Sequence, residues 1–200
     1  MNKECVIVSG LPRSGTSMIM RMLEAGGIPP FTDVVRKADA DNPRGYYEYE
    51  AVKRLDKDAS WMGETAGHAL KVISSLLRYL PQEYAYAVLF VNRSLEEVLA
   101  SQQAMLQRRA KEGRVPPETV APERLKAEHD ALLQSYTRHL RQTRLWLEEQ
   151  PNIRSLVVEH RKTLHTPQQI AQTINQFLGG TLDIAAMTDT VEQQLYRHRI

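Results

Sequence analysis

Apolar residues concentrate in four short, nearly continuous runs along the chain. These runs read CVIVS, ALKVI, AYAVLFVN and IRSLVV and occupy residues 5–9, 69–73, 85–92 and 153–158. Their length and their β-branched side chains are typical of strands. The first run is apolar without alternation, which is typical of a strand covered on both faces of a parallel sheet. The sequence therefore predicts four strands, the first of them central.

Between these runs, apolar residues recur every three or four positions. This period predicts helices, because side chains at that spacing share one helix face. Ser94 and Glu97 have the spacing of a capping box, which predicts that a helix begins at Ser94. The predicted helical stretches are 16–25, the surroundings of Val52 and Leu55, the surroundings of Leu76 to Leu80, the stretch from Ser94, about 123–149, and 167–177.

Strands that alternate with helices indicate an α/β fold. We predict one domain over residues 1–200, a three-layer sandwich whose central, mostly parallel sheet is flanked by helices. The charged, proline-rich segment 107–124 is predicted to be a surface excursion and is a candidate flap. In such sheets ligands bind beyond the carboxyl ends of the strands. Candidate chemistry is therefore sought directly after each strand.

Composition narrows the class of protein only modestly. The 200 residues carry a formal net charge of +2, and 42% of them are apolar. No apolar stretch approaches the length of a membrane span, and no targeting segment is visible. The single cysteine, Cys5, lies in an apolar run, so the sequence favours a reduced core thiol and a cytoplasmic protein. Basic residues at 108, 109, 111 and 114 lack interleaved aromatics, so nucleic-acid binding is not expected.

The first predicted strand leads directly into GLPRSGTS, at Gly10–Ser17. A glycine-bounded loop between a strand and a helix presents backbone amides to an anion, and the helix adds its positive end. The loop has the frame G-x-x-x-x-G-K-[ST] of nucleoside-triphosphate enzymes, but Thr16 stands at the lysine position. Arg13 supplies a charged donor inside the loop instead, and Thr16 and Ser17 supply hydroxyls.

A second part of the triphosphate machinery is also missing. Such enzymes hold magnesium with the loop hydroxyl and an aspartate that follows another strand. Here the AVLFV strand is followed by Asn92 and Arg93. Both missing parts neutralise the charge of a γ-phosphate, so the loop is suited to a transferring group with less charge, such as a sulfuryl group.

The segment Pro12-Arg13-Ser14-Gly15-Thr16-Ser17 resembles the P-[KR]-S-G-T-[ST] loop of sulfotransferases that use 3′-phosphoadenosine-5′-phosphosulfate (PAPS). Their second signature, an arginine at a strand end and a serine eight residues later, is matched by Arg93 and Ser101 in VNRSLEEVLAS. The stretch NPRGYYE is also similar to bacterial and Golgi-type members.

This resemblance implies a P-loop NTPase-like fold, PAPS as the donor, no required metal, and a small-molecule or sugar acceptor. The donor's 5′-phosphosulfate is then expected on the 12–17 loop, and its 3′-phosphate on Arg93 and Ser101.

Some family features are replaced in this chain. Lys71-Val72-Ile73 stands where cytosolic members carry K-T-H, so the usual histidine base is absent while Lys71 remains to contact the donor. The first candidate base is Glu48, followed by Glu50 and His68. A family Tyr-Glu-x-Leu segment corresponds here to Glu159-His160-Arg161-Lys162, and the terminal Arg197 and Arg199 are further candidates for the 3′-phosphate.

Two other functions remain open at this point. One is a nucleotide kinase or NTPase with an altered loop, and the other is a nucleotide-binding protein that catalyses nothing. The acceptor and the oligomeric state are not indicated. Tyr46, Tyr47, Tyr49 and Trp61 are candidates to line an acceptor cleft, although aromatic residues at this density are more often core.

Overall fold

A computed structural model describes residues 4–33 and 45–191 of the chain. Within these residues, four strands form one sheet in the order β2-β1-β3-β4, and each neighbouring pair is parallel. Their bounds are β1 Cys5–Gly10, β2 Ala69–Ile73, β3 Tyr86–Asn92 and β4 Ile153–Glu159. The α/β prediction is confirmed, with β1 in the interior of a parallel sheet that is flanked by helices.

Helices connect the strands and cover both faces of the sheet. The α-helices are α1 Thr16–Ala25, α2 Leu95–Lys111, α3 Pro122–Glu149, α4 His160–His165, α5 Pro167–Phe177 and α6 Ile184–Asp189. The described part of the chain also has 3₁₀ helices at Glu50–Arg54, Ser60–Thr65, Ser74–Tyr79 and Pro117–Val120. Within the described residues, no helix has both the length and the apolarity needed to cross a membrane.

Alternate residues of β1 serve two separate apolar layers. Val6 and Val8 face one layer, whereas Cys5 and Ile7 face the other. All six residues of β1 are buried, because the strand is paired on both edges and covered on both faces. The first layer contains side chains of α1, α4, α5 and α6, and the second contains Leu147 of α3 and side chains of the 3₁₀ helices between 50 and 79. These two layers and the sheet between them form the predicted sandwich.

The pattern of apolar runs located each strand to within one or two residues. The helices predicted around Val52 and Leu55 and around Leu76 to Leu80 are 3₁₀ helices, and α4 and α6 were not predicted. Segment 107–124 is divided: residues 107–111 continue α2, residues 122–124 begin α3, and the exposed connection between them includes a 3₁₀ helix. The excursion is therefore shorter than predicted, and its role as a flap stays a prediction.

Strand register places the ends of three strands at one level. Gly10 of β1 pairs with Ile73 of β2 on one side and with Val91 of β3 on the other. One residue further, Asn92 pairs with Glu159 of β4. The GLPRSGTS loop and the start of α2 therefore emerge at the same carboxyl edge of the sheet, where parallel sheets bind their ligands.

Candidate functional site

The phosphate loop, defined as residues 10–17, has a backbone that only particular residues can adopt. Gly10 and Gly15 have φ angles of 152° and 105°, and Arg13 has a φ of 73°. A Cβ added to Gly10 would lie 2.6 Å from Ser14 Oγ and 2.7 Å from the Val91 carbonyl oxygen. Gly10 is therefore required both by its dihedral angle and by its neighbours.

The loop ends at the amino terminus of α1, where helix amides are available to an anion. Gly15 is the N-cap residue, and no side chain caps the helix. Ser14 is 1% exposed, and its Oγ has no hydrogen-bond partner among the described residues. A buried hydroxyl without a partner is costly unless a ligand satisfies it. Together these groups form a site suited to an anion.

Residues of α2 and Arg93, which lies just before it, fasten the loop from the side. Arg13 Nε donates to Ser101 Oγ at 3.1 Å, and Arg93 Nη1 donates to the Arg13 carbonyl oxygen at 3.0 Å. Gln102 Nε2 donates to the Pro12 carbonyl oxygen at 3.4 Å. The structure thus brings the two predicted motifs, 12–17 and Arg93 with Ser101, into direct contact. These bonds also hold Arg13 in its left-handed conformation.

A buried ion pair orients Arg93. Arg93 Nε lies 2.9 Å from Glu97 Oε2, and the two side chains are 9% and 5% exposed. The capping-box prediction is wrong, since Ser94 is the N-cap residue of α2 but its side chain caps no amide. Glu97 binds Arg93 instead. Removing one partner of such a pair would leave a buried, uncompensated charge.

Lys71 approaches the loop from the neighbouring strand β2. Its Nζ donates to Ser17 Oγ at 3.0 Å and to the Tyr46 carbonyl oxygen at 2.8 Å. Ser17 belongs to the first turn of α1, so an ammonium group lies beside the helix start. Lys71, Arg13 and Arg93 thus bring positive charge to the loop, and the carboxylate of Glu97 pairs with Arg93. The field at this edge is therefore positive and favours an anionic ligand.

The structure also places His160, the first residue of α4, against the loop. A Cβ added to Gly15 would lie 2.4 Å from His160 Cδ2, so the imidazole packs on the Cα of this glycine. Burial, reinforced by the charge of Arg93, lowers the pKa of His160 to about 4. Its imidazole is therefore neutral near pH 7. Sequence reasoning assigned no role to this residue, although its position directly after β4 was a signal.

Another polar cluster joins β3, β4 and α3 at the same edge. Asn92 Nδ2 donates to both Glu159 carboxylate oxygens at 3.0 Å, and Arg144 Nη2 donates to Asn92 Oδ1 at 2.8 Å. Asn92 is the last residue of β3, near the position where triphosphate enzymes carry a magnesium-binding aspartate after a strand. Its amide instead ties the end of β3 to the end of β4.

His139 of α3 lies beside the end of β2. Ile73, at the position of the missing family histidine, is 41% exposed. Ser74 follows it, and Ser74 Oγ lies 2.8 Å from His139 Nε2. Burial and the charge of Arg78 lower the pKa of His139, which favours its neutral form. Sequence reasoning could not find this residue, because His139 is 65 positions from Ser74 along the chain.

The three candidate bases occupy different places. The Glu48 carbonyl oxygen accepts from Thr32 Oγ1 at 2.7 Å, and the Glu48 side chain is half-buried, two residues from the Tyr46 carbonyl that binds Lys71. Glu50 lies on the surface and pairs with Lys53 at 2.7 Å. His68 precedes β2 and therefore lies at the amino edge of the sheet, away from the loop. Of these three residues, Glu48 is the one that stays a candidate base.

The aromatic residues proposed for an acceptor cleft mostly pack inside the protein. Tyr49 and Trp61 form edge contacts with each other at 4.9 Å and pack with Phe31. Tyr46 is 5% exposed, and Tyr47 donates from its hydroxyl to Glu24 Oε2 at 2.6 Å. These contacts favour the core reading of Tyr46, Tyr49 and Trp61. Arg197 and Arg199 lie outside the described residues.

Among residues 4–33 and 45–191, no three His, Cys, Asp or Glu side chains group as metal ligands.

Comparison with protein families gives no matching family model, and no curated protein matches the sequence. A solved structure does match: a sulfotransferase domain from the Synechococcus PCC 7002 olefin synthase. The two chains superpose with a TM-score of 0.52 at 12% identity, over 100% of this chain and 85% of the other. This chain has a sulfotransferase-like fold.

The contact between Gly15 and His160 predicts that an alanine at Gly15 destabilises this sulfotransferase-like fold more than an alanine at Gly27. Gly15 and Gly27 have φ angles of 105° and 104°, but a Cβ at Gly27 would meet nothing within 4 Å. Gly15→Ala and Gly27→Ala therefore share a dihedral cost of about 1–2 kcal/mol. Gly15→Ala adds a clash, which typically costs about 1–3 kcal/mol more. Urea unfolding of both variants measures the difference, and equal losses would contradict the contact.

The lowered pKa of His160 predicts an acid-sensitive fold. Above pH 6.5 the imidazole is neutral in the folded and unfolded chains, so its contribution is constant. As the pH falls from 6.5 to about 4, only the unfolded chain gains the proton, and the free energy of unfolding decreases. The loss from this residue is about 3 kcal/mol, since each pKa unit corresponds to about 1.4 kcal/mol.

Urea unfolding between pH 4 and pH 7 tests this dependence. His160→Asn should lose less stability over this interval than the wild type. His165→Asn, which changes an exposed histidine at the other end of α4, serves as the control and should keep the wild-type slope. An unchanged slope in His160→Asn would count against a buried, neutral His160.

Proposed function

We propose that this protein is a PAPS-dependent sulfotransferase that transfers a sulfuryl group to a hydroxyl or amine of a small molecule or carbohydrate. The observation that carries the proposal is the contact between the lysine-free loop and the second motif, through Arg13, Arg93 and Ser101. The sulfotransferase-like fold supports it. Two motifs 80 or more residues apart that meet at one strand edge favour a single bisphosphorylated ligand over two unrelated structural features.

The residues present fit such a donor. The 12–17 loop would hold the 5′-phosphosulfate through its amides, the hydroxyls of Ser14, Thr16 and Ser17, and the guanidinium of Arg13. The buried Ser14 hydroxyl, which has no hydrogen-bond partner in the described part of the chain, supports a ligand there. Arg93 and Ser101 would hold the 3′-phosphate. PAPS supplies an activated sulfuryl group on a phosphate leaving group.

Electrostatics and positioning are the contributions of the protein. Arg13 and Lys71 would stabilise negative charge that develops at the leaving phosphate, because fixed cations in a partly buried site act without reorganisation. The bonds from Arg93 and Gln102 to the loop backbone keep this geometry before the substrate arrives. Holding the donor and the acceptor in line supplies the remainder of the rate enhancement.

The acceptor's proton needs a base within hydrogen-bond reach. Glu48 is proposed for this role, on the resemblance to members that use a glutamate. His139 is a second candidate, because its imidazole lies beside Ser74, one residue beyond Ile73. The lowered pKa of His139 favours the neutral imidazole, which can accept a proton. A carboxylate and an imidazole predict different pH–rate profiles, so the pH dependence of turnover distinguishes them.

The magnesium-dependent NTPase is the weaker alternative. Its loop lysine and aspartate are absent, and the Glu159 carboxylate, which lies at the same edge, is engaged by Asn92. A nucleotide-binding protein without catalysis has the same phosphate contacts and is separated only by an assay of transfer.

Ligand binding and sulfate transfer test the proposed function together. We expect 3′-phosphoadenosine 5′-phosphate to stabilise the protein, by about 2.7 kcal/mol at one hundred times its dissociation constant. We also expect labelled sulfate to move from PAPS to a member of an acceptor library. Stabilisation by ATP with magnesium alone would reject the proposal. Binding of the bisphosphate without transfer to any acceptor would favour the non-catalytic alternative.

Substitution of Arg93 tests the assignment of the 3′-phosphate. Arg93→Ala should weaken the binding of 3′-phosphoadenosine 5′-phosphate far more than that of adenosine 5′-phosphate, because only the former carries the contacted group. Arg124→Ala is a matched control, since Arg124 forms an i,i+4 pair with Glu128 at 2.8 Å but on the exposed surface of α3. Equal losses for both nucleotides in Arg93→Ala would show that Arg93 acts only on the loop.

A further inference from the structure

The loop hydroxyl of Ser17 has a partner that triphosphate-binding loops do not have. In the frame G-x-x-x-x-G-K-[ST], the last position supplies the hydroxyl that ligates magnesium. With Gly10 and Gly15 as the two glycines, that position is Ser17. Its Oγ accepts a hydrogen bond from Lys71 Nζ at 3.0 Å.

The ammonium group is held at this place by protein oxygens. Lys71 is the middle residue of β2, and its Nζ also donates to the Tyr46 carbonyl oxygen at 2.8 Å. Tyr46 is 5% exposed, so this carbonyl belongs to a packed part of the protein. The fold therefore fixes the position of the Lys71 ammonium group, unlike that of a mobile surface lysine.

The ammonium group disfavours a magnesium ion at Ser17. Mg²⁺ needs oxygen ligands at about 2.0–2.1 Å in octahedral geometry. An Nζ that is 3.0 Å from the same hydroxyl oxygen repels the charge of such an ion. The described residues also offer no group of three acidic, histidine or cysteine side chains that could compensate.

We propose that Lys71 is a specificity-determining residue, whose ammonium replaces magnesium at Ser17 and so discriminates against magnesium-chelated nucleotides. This inference rests on the proposed donor site, and it adds the reason why that site selects an unchelated phosphosulfate over a nucleoside triphosphate.

Competition binding with and without magnesium tests this role. The probe is 3′-phosphoadenosine 5′-phosphate bound to the full chain, and the competitor is ATP, in EDTA or in excess magnesium. In the wild type we expect metal-free ATP to displace the probe, and magnesium to weaken ATP roughly tenfold or more, because a chelated dication meets the ammonium. Lys71→Met introduces a neutral side chain of similar length. In this variant the ratio of the ATP dissociation constant in magnesium to that in EDTA should decrease to about one or below.

Two further variants make the result specific. Lys126→Met removes one exposed lysine of α3 and should keep the wild-type ratio. Ser17→Ala removes the shared hydroxyl but keeps the ammonium, so it should also keep a ratio above one. If Ser17 instead ligated magnesium, the wild type would bind chelated ATP more tightly, and Ser17→Ala would lose that preference.

The failures of the two proposals are distinguishable. A bisphosphate that binds, with the same magnesium ratio in the wild type and Lys71→Met, would overturn the role of Lys71 and leave the sulfotransferase proposal intact. Failure of metal-free ATP to displace the probe would likewise overturn it. Absence of bisphosphate binding would reject the proposed donor site, and the role of Lys71 with it.

Discussion

The hydrogen bond from Arg93 to the Arg13 carbonyl oxygen is the contact on which the site depends. Arg13 adopts a left-handed backbone that a side chain normally avoids, and it persists because Arg93 holds its carbonyl oxygen and Ser101 holds its side chain. Glu97, buried beside Arg93, fixes the direction of the guanidinium. One ion pair on the first turn of a helix therefore controls the shape of a loop that begins at another strand. The shape of that loop in turn decides where its amides and hydroxyls lie.

Charge at the loop is arranged on fixed elements. Lys71 comes from β2, Arg93 from the end of β3, and Arg13 from the loop itself, so three segments contribute cations to one strand edge. Neutral His160 closes the side of Gly15 without adding charge. A site of this kind can bind a strongly anionic ligand without a metal ion, because the protein has already positioned the countercharge.

Much of the fold was predictable because the apolar runs and helical periods are local. The strands at 5–10 and 69–73 and the helix at 16–25 follow from patterns within ten residues, and the structure confirms them. The phosphate loop was found for the same reason, since its glycines and hydroxyls are contiguous. The partner of Glu97 was predicted wrongly, because a capping-box spacing also suits an ion pair with the residue just before the helix.

The residues that sequence reasoning missed come from distant parts of the chain. His160 reaches Gly15, and His139 reaches Ser74, through packing of α4 and α3 that no local pattern encodes. Likewise, Lys71 was expected near the donor, but its bond to Ser17 depends on the parallel pairing of β1 with β2. Such contacts become visible only when strand order and register are known.

The interior position of β1 has a consequence for biosynthesis. β1 leaves the ribosome before β3, yet it pairs with β3, and its loop binds residues 80 and 88 positions later. At roughly 5–20 residues per second, several seconds pass between the synthesis of the apolar β1 and that of β3 and α2. During that time one edge of β1 lacks its native partner, and the phosphate loop cannot acquire its shape before Arg93 and Ser101 have been synthesised.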